Sequence, residues 1–162
     1  MLVGILLTVA VADSAQAQTE KEIVKIRAEV GTINKSASKY AKTTKDVEGI
    51  SLEGTQATYF LSAKKLRKIT AEIYGETYRA TGEFYYTDGE LIFAYLKHNQ
   101  YDTQIGASKS PKIVRTEEQR YYFVGDKLIL LVGKKELKSG DEKHSQLKEE
   151  IMNLSNKLKD SK

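Results

Sequence analysis

The chain has no cysteine, one proline and two histidines in 162 residues. Without cysteine there are no disulfides, no thiolate ligands, no thiol nucleophile and no lipid-attachment site of the bacterial lipoprotein kind. A serine nucleophile has no Gly-x-Ser-x-Gly setting either. His98 and His144 stand alone, outside any His-x-x-x-His spacing, so both read as solvent-exposed, and neither a metal nor a cofactor is called for. Long apolar runs are also missing. The longest, residues 1–12, is too short to span a bilayer comfortably.

That run has the length of a secretory signal, and Ala15-Gln16-Ala17 supplies a small-x-small cleavage site, although no Lys or Arg precedes it. The expectation is a signal peptide over 1–17, with a single domain over 18–162 that is periplasmic or secreted and not membrane-spanning after cleavage. Losing 1–17 removes Asp13 and no cation, so the formal charge rises from +4 to +5, with 26 cations against 21 anions. This modest excess suits an envelope surface, an acidic glycan or anionic headgroups. Export and the lack of a basic stretch interleaved with aromatics exclude nucleic acid. With no disulfide to brace it, the fold must hold by burial alone, which a single domain of this size can do.

Among aromatic residues the chain is richest in tyrosine, with ten against four phenylalanines and no tryptophan, and the tyrosines mark a repeated hairpin. The clearest copy is Tyr85-Tyr86-Thr87-Asp88-Gly89-Glu90-Leu91-Ile92, in which Asp-Gly between apolar runs predicts a type I′ turn. A second copy, Tyr122-Phe123-Val124-Gly125-Asp126-Lys127-Leu128-Ile129, permutes the turn residues and predicts a different turn type. A degenerate third, Tyr59-Phe60-Leu61-Ser62-Ala63-Lys64-Lys65-Leu66, is one position looser and lacks glycine. Ile69, Ala71 and Ile73 alternate with polar neighbours, and 91–96 is apolar on both faces, as in a central strand. The hairpin pattern, with Glu72-Ile73-Tyr74-Gly75-Glu76-Thr77 before it, resembles an uncharacterised family of small secreted bacterial proteins. The resemblance covers roughly 57–132 and implies fold and compartment, with no function to carry over.

Helical signals flank the hairpins. Thr19-x-x-Glu22 fits a capping box, and Ile23, Ile26, Val30 and Ile33 form one apolar stripe, predicting a helix over 20–34. Ser139-x-x-Glu142 repeats the capping signal before Leu147, Ile151, Leu154 and Leu158, a narrow seam predicting a helix over 141–159 that docks on its own domain. Residues 35–45 read as an exposed connection, 46–53 as a short edge strand, and 98–112 as a long polar loop holding Pro111. The fold class is α+β: an antiparallel β-meander of about six strands over 57–133, flanked by N- and C-terminal amphipathic helices. Which face each helix covers stays open.

Function is the weaker reading. Adjacent tyrosines point to opposite faces, so one of each pair fills the core and the other suits contact with a sugar or a peptide. Candidate ligand-binding residues are Tyr85, Tyr95, Tyr121, His98 and Tyr101, with no catalytic or metal residues. The expectation is a non-catalytic binding module for an envelope protein or glycan, as a monomer or weak homodimer. The alternatives are a small carboxylate-dependent hydrolase using strand glutamates such as Glu72, Glu83, Glu117 or Glu118, and a self-assembling structural protein associating through the Leu147–Leu158 seam.

Overall fold

The computed structural model describes residues 10–107, 110–133 and 142–162, with side chains of the first helix from residue 16 onward. Its elements are α1 (Ala10–Ser36), a 3-10 turn (Ala37–Lys39), β1 (Ala41–Asp46), β2 (Thr55–Ser62), β3 (Lys65–Tyr74), β4 (Tyr78–Thr87), β5 (Glu90–Tyr101), β6 (Ile113–Val124), β7 (Lys127–Val132) and α2 (Glu142–Asp160). The strands form one antiparallel sheet in chain order, a seven-stranded meander. The α+β class therefore holds, with one strand more than about six.

The additional strand is β1, and it corrects two expectations. Residues 41–46, read as an exposed connection, pair along their whole length with β2, and all six are exposed. An edge strand this open shows no alternation, and Lys42, Lys45 and Asp46 blunt it against unwanted pairing. Residues 47–53, all but the first of the span read as an edge strand, form with Gly54 a loop instead, with Gly49 and Gly54 at positive φ. The long polar loop is likewise shorter than expected. Residues 98–101 belong to β5, 98–100 paired with β4 and Tyr101 with Ile113 of β6, so the loop begins at residue 102.

The hairpin repeat is more regular than its sequence. Asp88 and Gly89 both have positive φ, as a type I′ turn requires, whereas at Gly125-Asp126 only the glycine does. The glycine-free copy also closes on two left-handed residues, Ala63 (φ 48°) and Lys64 (φ 67°). Each hairpin then slips register at the same place, opposite Phe60/Leu61, Tyr85/Tyr86 and Tyr122/Phe123. The unpaired residues are Arg67, Ile92 and Ile129. The third copy therefore aligns as 60–67, one residue later than the tyrosines suggest, and is no looser than the others. A bulge at the start of each return strand strengthens the local twist.

The two helices cover opposite faces. On one face Tyr59, Ile69, Phe84, Ala94, Tyr121 and Leu131 lie in a row across six strands. They share a core with Ile151 and Leu158 of α2, against which Leu147 and Leu154 pack. The α2 seam thus docks on its own sheet, as its spacing predicts. Two polar contacts fix it: Tyr59 donates to the Leu158 carbonyl (2.9 Å), and the Tyr86 and Ser155 hydroxyls are 2.8 Å apart. His144, expected in solvent, is only 6% exposed. The Ser139 capping signal lies outside the described residues.

On the other face the row Phe60, Lys68, Tyr85, Phe93, Tyr122 and Leu130 faces α1. This helix contributes Ile26 and Ile33 as buried apolar residues, with Ile23 and Val30 half-buried, and adds polar contacts. Arg27 donates to the Tyr122 hydroxyl (3.4 Å), Glu29 pairs with Arg67, and Asn34 accepts from Lys68 and Tyr85 (3.0 Å each). The helix is described from Ala10 rather than from residue 20, so Thr19 lies inside it and is not its N-cap.

Candidate functional site

The three two-residue turns stand at one end of the sheet and the loops 47–54, 75–77 and 102–112 at the other. α1 crosses its face near the turn end, over Lys68, Tyr85 and Tyr122, all buried. Nearer the loops, the same face presents Glu72, Thr81, Lys97 and Glu118 in one row, then Tyr74, Arg79, Asn99 and Thr116 in the next. These residues are half-buried or exposed. Four strands thus offer an open polar face.

Two tyrosine units organise it. The Arg79 guanidinium lies 4.8 Å from the centre of the Tyr74 ring, and Tyr74 donates to Glu72 at 2.5 Å. The Arg120 guanidinium lies 5.1 Å from the Tyr95 ring and pairs with Glu118 at 3.3 Å. Both phenols are pushed above the ordinary tyrosine value. For Tyr74 the bond to Glu72 is the main cause and burial the next; for Tyr95 burial leads and the bond to Glu118 follows. Each unit presents a guanidinium plane, a carboxylate and the edge of a ring, a combination suited to directional polar contacts.

Glu83 belongs to the same face and differs in role. Burial alone would raise its pKa, but hydrogen bonds from Lys68 (2.8 Å) and Tyr85, with the Lys68 charge, bring it below the ordinary carboxylate value. A general acid needs the opposite displacement. Tyr85, its donor, is raised by burial first and by Glu83 second.

The sequence candidates do not gather in one place. Tyr85 and Tyr121 are each 2% exposed, on opposite faces, so both serve the interior. Tyr121 sits in the α2 core and donates to Gln119 at 2.8 Å. Tyr95 lies on the open face. His98 lies on the α2 side, stacked on Tyr78 with ring centres 4.9 Å apart. Tyr101 ends β5, its N–H donating to the Thr77 carbonyl at 2.8 Å.

Sequence reading missed Tyr74, Arg79 and Arg120, and weighed Glu118 only as a hydrolase carboxylate. A signal was present in the spacing Glu72-x-Tyr74, Glu83-x-Tyr85 and Gln119-x-Tyr121. Residues two apart in a strand share a face, so each tyrosine hydroxyl reaches the carboxylate or amide before it.

Two cavities border this face. One of about 280 Å³ is lined by Glu53, Tyr74, Glu76, Arg79 and Gln104 among others. Gln104 donates to Glu76 at 3.1 Å across it. The other, about 580 Å³, lies within the 46–56 segment and also reaches Tyr74. Among the described residues no cluster of His, Cys, Asp or Glu could hold a metal ion, and no helix is long and apolar enough to cross a membrane. Compared with known protein families, curated proteins and solved structures, the chain matches none.

Proposed function

We propose that this protein is a non-catalytic binding module of the cell envelope or its surroundings, and that it recognises a polypeptide through the open sheet face bearing Tyr74, Arg79, Tyr95 and Arg120. The observation that carries the reading is the pair of guanidinium-on-tyrosine units, on the half of the face that α1 leaves uncovered. Tyrosine and arginine are the side chains most often found at the energetic centre of protein interfaces. A glycan is the weaker partner, because sugar stacking needs a free ring face and each ring already carries a guanidinium. The displacement of Glu83 makes it unsuited to be the general acid of a two-carboxylate hydrolase. Docking of the Leu147–Leu158 seam takes away the surface that the self-assembly alternative would use.

Export remains part of the proposal and rests on residues 1–17. Cleavage after Ala17 would remove the first turns of α1 and spare Arg27, Glu29 and Asn34, which hold it to the sheet.

Affinity capture from envelope extract tests the partner, with the protein and an Arg79→Ala/Arg120→Ala variant as paired baits. Both side chains are half-buried and Arg79 also donates to the Gly75 and Tyr78 carbonyls, so circular dichroism must first show that the variant keeps the wild-type fold. Wild type is expected to retain a polypeptide that the variant loses. Identical retention by both baits, or retention that survives protease treatment of the extract, would overturn the polypeptide reading.

A further inference from the structure

The turn end of the molecule carries a second feature, unrelated to the open face. A cavity of about 440 Å³ is lined by Lys64, Lys65, Leu66, Asp88, Gly89, Lys159 and Lys162. Its four lysines come from the β2–β3 turn region and from the C-terminal end of α2 and the residues after it, and one carboxylate, Asp88, stands among them. Lys65 pairs with Asp88 at 3.4 Å, and Lys159 donates to the Gly89 carbonyl at 3.1 Å. Lys64 and Lys162 have no side-chain partner among the described residues. Lysines near a helix C-terminus complement its dipole, which accounts for Lys159 and Lys162. It does not account for Lys64 or Lys65.

The internal repeat supplies the control for Lys64. Three equivalent two-residue turns close the hairpins, and Lys64 occupies the position that Gly89 holds in its neighbour. At φ 67° a lysine is in the left-handed region, where glycine rests freely and a side chain is strained. Ala63, at φ 48°, is left-handed too, so this turn breaks the local rule at both central positions. Departures from local preference concentrate where a side chain serves a purpose other than folding. Here the side chain delivered is a lysine beside a cavity that three other lysines line.

We infer that this cavity binds a phosphate group, with Lys64 and Lys162 supplying the free ammonium donors and Lys65 and Lys159 the surrounding positive charge. A phosphate monoester carries close to two negative charges at neutral pH, which matches two unpaired ammonium groups better than a carboxylate does. The group can be borne by a soluble molecule or by a lipid headgroup, and the chemistry is the same.

The test is an amide-resolved NMR titration of the full chain with inorganic phosphate, with acetate and chloride at equal ionic strength as controls. Saturable shifts at Ala63–Leu66, Asp88, Gly89 and Lys159 are expected with phosphate and not with the controls. Lys64→Gly separates binding from folding. It should raise the melting temperature by about 2–4 °C by relieving the turn, and weaken phosphate binding about tenfold by removing one charged donor. Lys162→Ala should weaken binding without the thermal gain. Co-sedimentation with phosphatidylcholine vesicles, with and without phosphatidic acid, distinguishes the sources. Retention on the acidic vesicles alone assigns a lipid phosphate; phosphate shifts without retention assign a soluble one. Shifts matched by chloride, or left unchanged in Lys64→Gly, would overturn the site.

Discussion

The two helices dock on one sheet by different chemistry. α2 presents a seam of four aliphatic side chains, two of them, Ile151 and Leu158, essentially without solvent contact. α1 likewise buries Ile26 and Ile33, with Ile23 and Val30 half-buried, and differs in adding charged and polar contacts, Arg27, Glu29 and Asn34 reaching Tyr122, Arg67, Lys68 and Tyr85. Apolar burial is non-directional and insensitive to pH, whereas charge-assisted contacts need fixed geometry and a fixed protonation state. The α2 face should thus be the permanent core and the α1 face the conditional one. It is also on the α1 face that half the sheet stays open.

The largest effect should follow from the permanent side. Leu158→Ala removes a fully buried side chain from the α2 core, and the lost burial with the remaining cavity should cost about 2–4 kcal/mol. Urea unfolding reads this directly as a lowered midpoint. A cost below about 1 kcal/mol would mean that the seam is not what holds α2, and the contrast between the helices would fail.

A smaller effect, visible only in acid, should come from the α1 side. Glu83 ionises more readily in the folded protein than its ordinary value of 4.5, because Lys68 and Tyr85 donate to its carboxylate. The folded state therefore holds fewer protons on this group than the unfolded chain. Its stabilising contribution is complete above pH 4.5 and is lost as pH falls through the lower, folded value. Lys68 also bonds Asn34, so protonating Glu83 loosens the clasp that holds α1. Near-ultraviolet circular dichroism of the tyrosines should show a transition below pH 4.5 in the wild type that is absent from Glu83→Gln. Superimposable acid profiles would remove pH from the account of α1 docking.

What was legible in the sequence divides along similar lines. The Asp88-Gly89 hairpin, the α2 seam and the alternation in β3 could be read because a local rule fixes each: positive φ in a turn, a heptad spacing and a two-residue period. β1 was illegible because an exposed edge strand needs no apolar side chain, and Ala41–Asp46 has hardly any. Residues 98–101 read as loop since His-Asn-Gln-Tyr is polar, yet they extend β5 because β4 pairs with 98–100 and β6 with 98–101. The three bulges are backbone events without a residue signature, at Arg67 in one copy and isoleucine in the others. The open face was misplaced for a related reason. Tyrosine count pointed to Tyr85 and Tyr121, and only helix placement reveals that both are covered while Tyr74 and Tyr95 are not.

Gly31 offers the finest test of how far α1 belongs to the common core. It lies within the helix, and a Cβ built on it meets nothing within 4 Å. Gly31→Ala should therefore stabilise the helix by about 0.5–1 kcal/mol, through lower chain entropy and without new contacts. Where that gain shows is informative. A helix held by a conditional clasp opens on its own before the sheet unfolds, so the substitution should slow amide exchange across residues 23–36 and hardly move the urea midpoint. A helix that unfolds only with the whole protein would pass the gain to the midpoint instead, and the two faces would then be one cooperative unit despite their different chemistry.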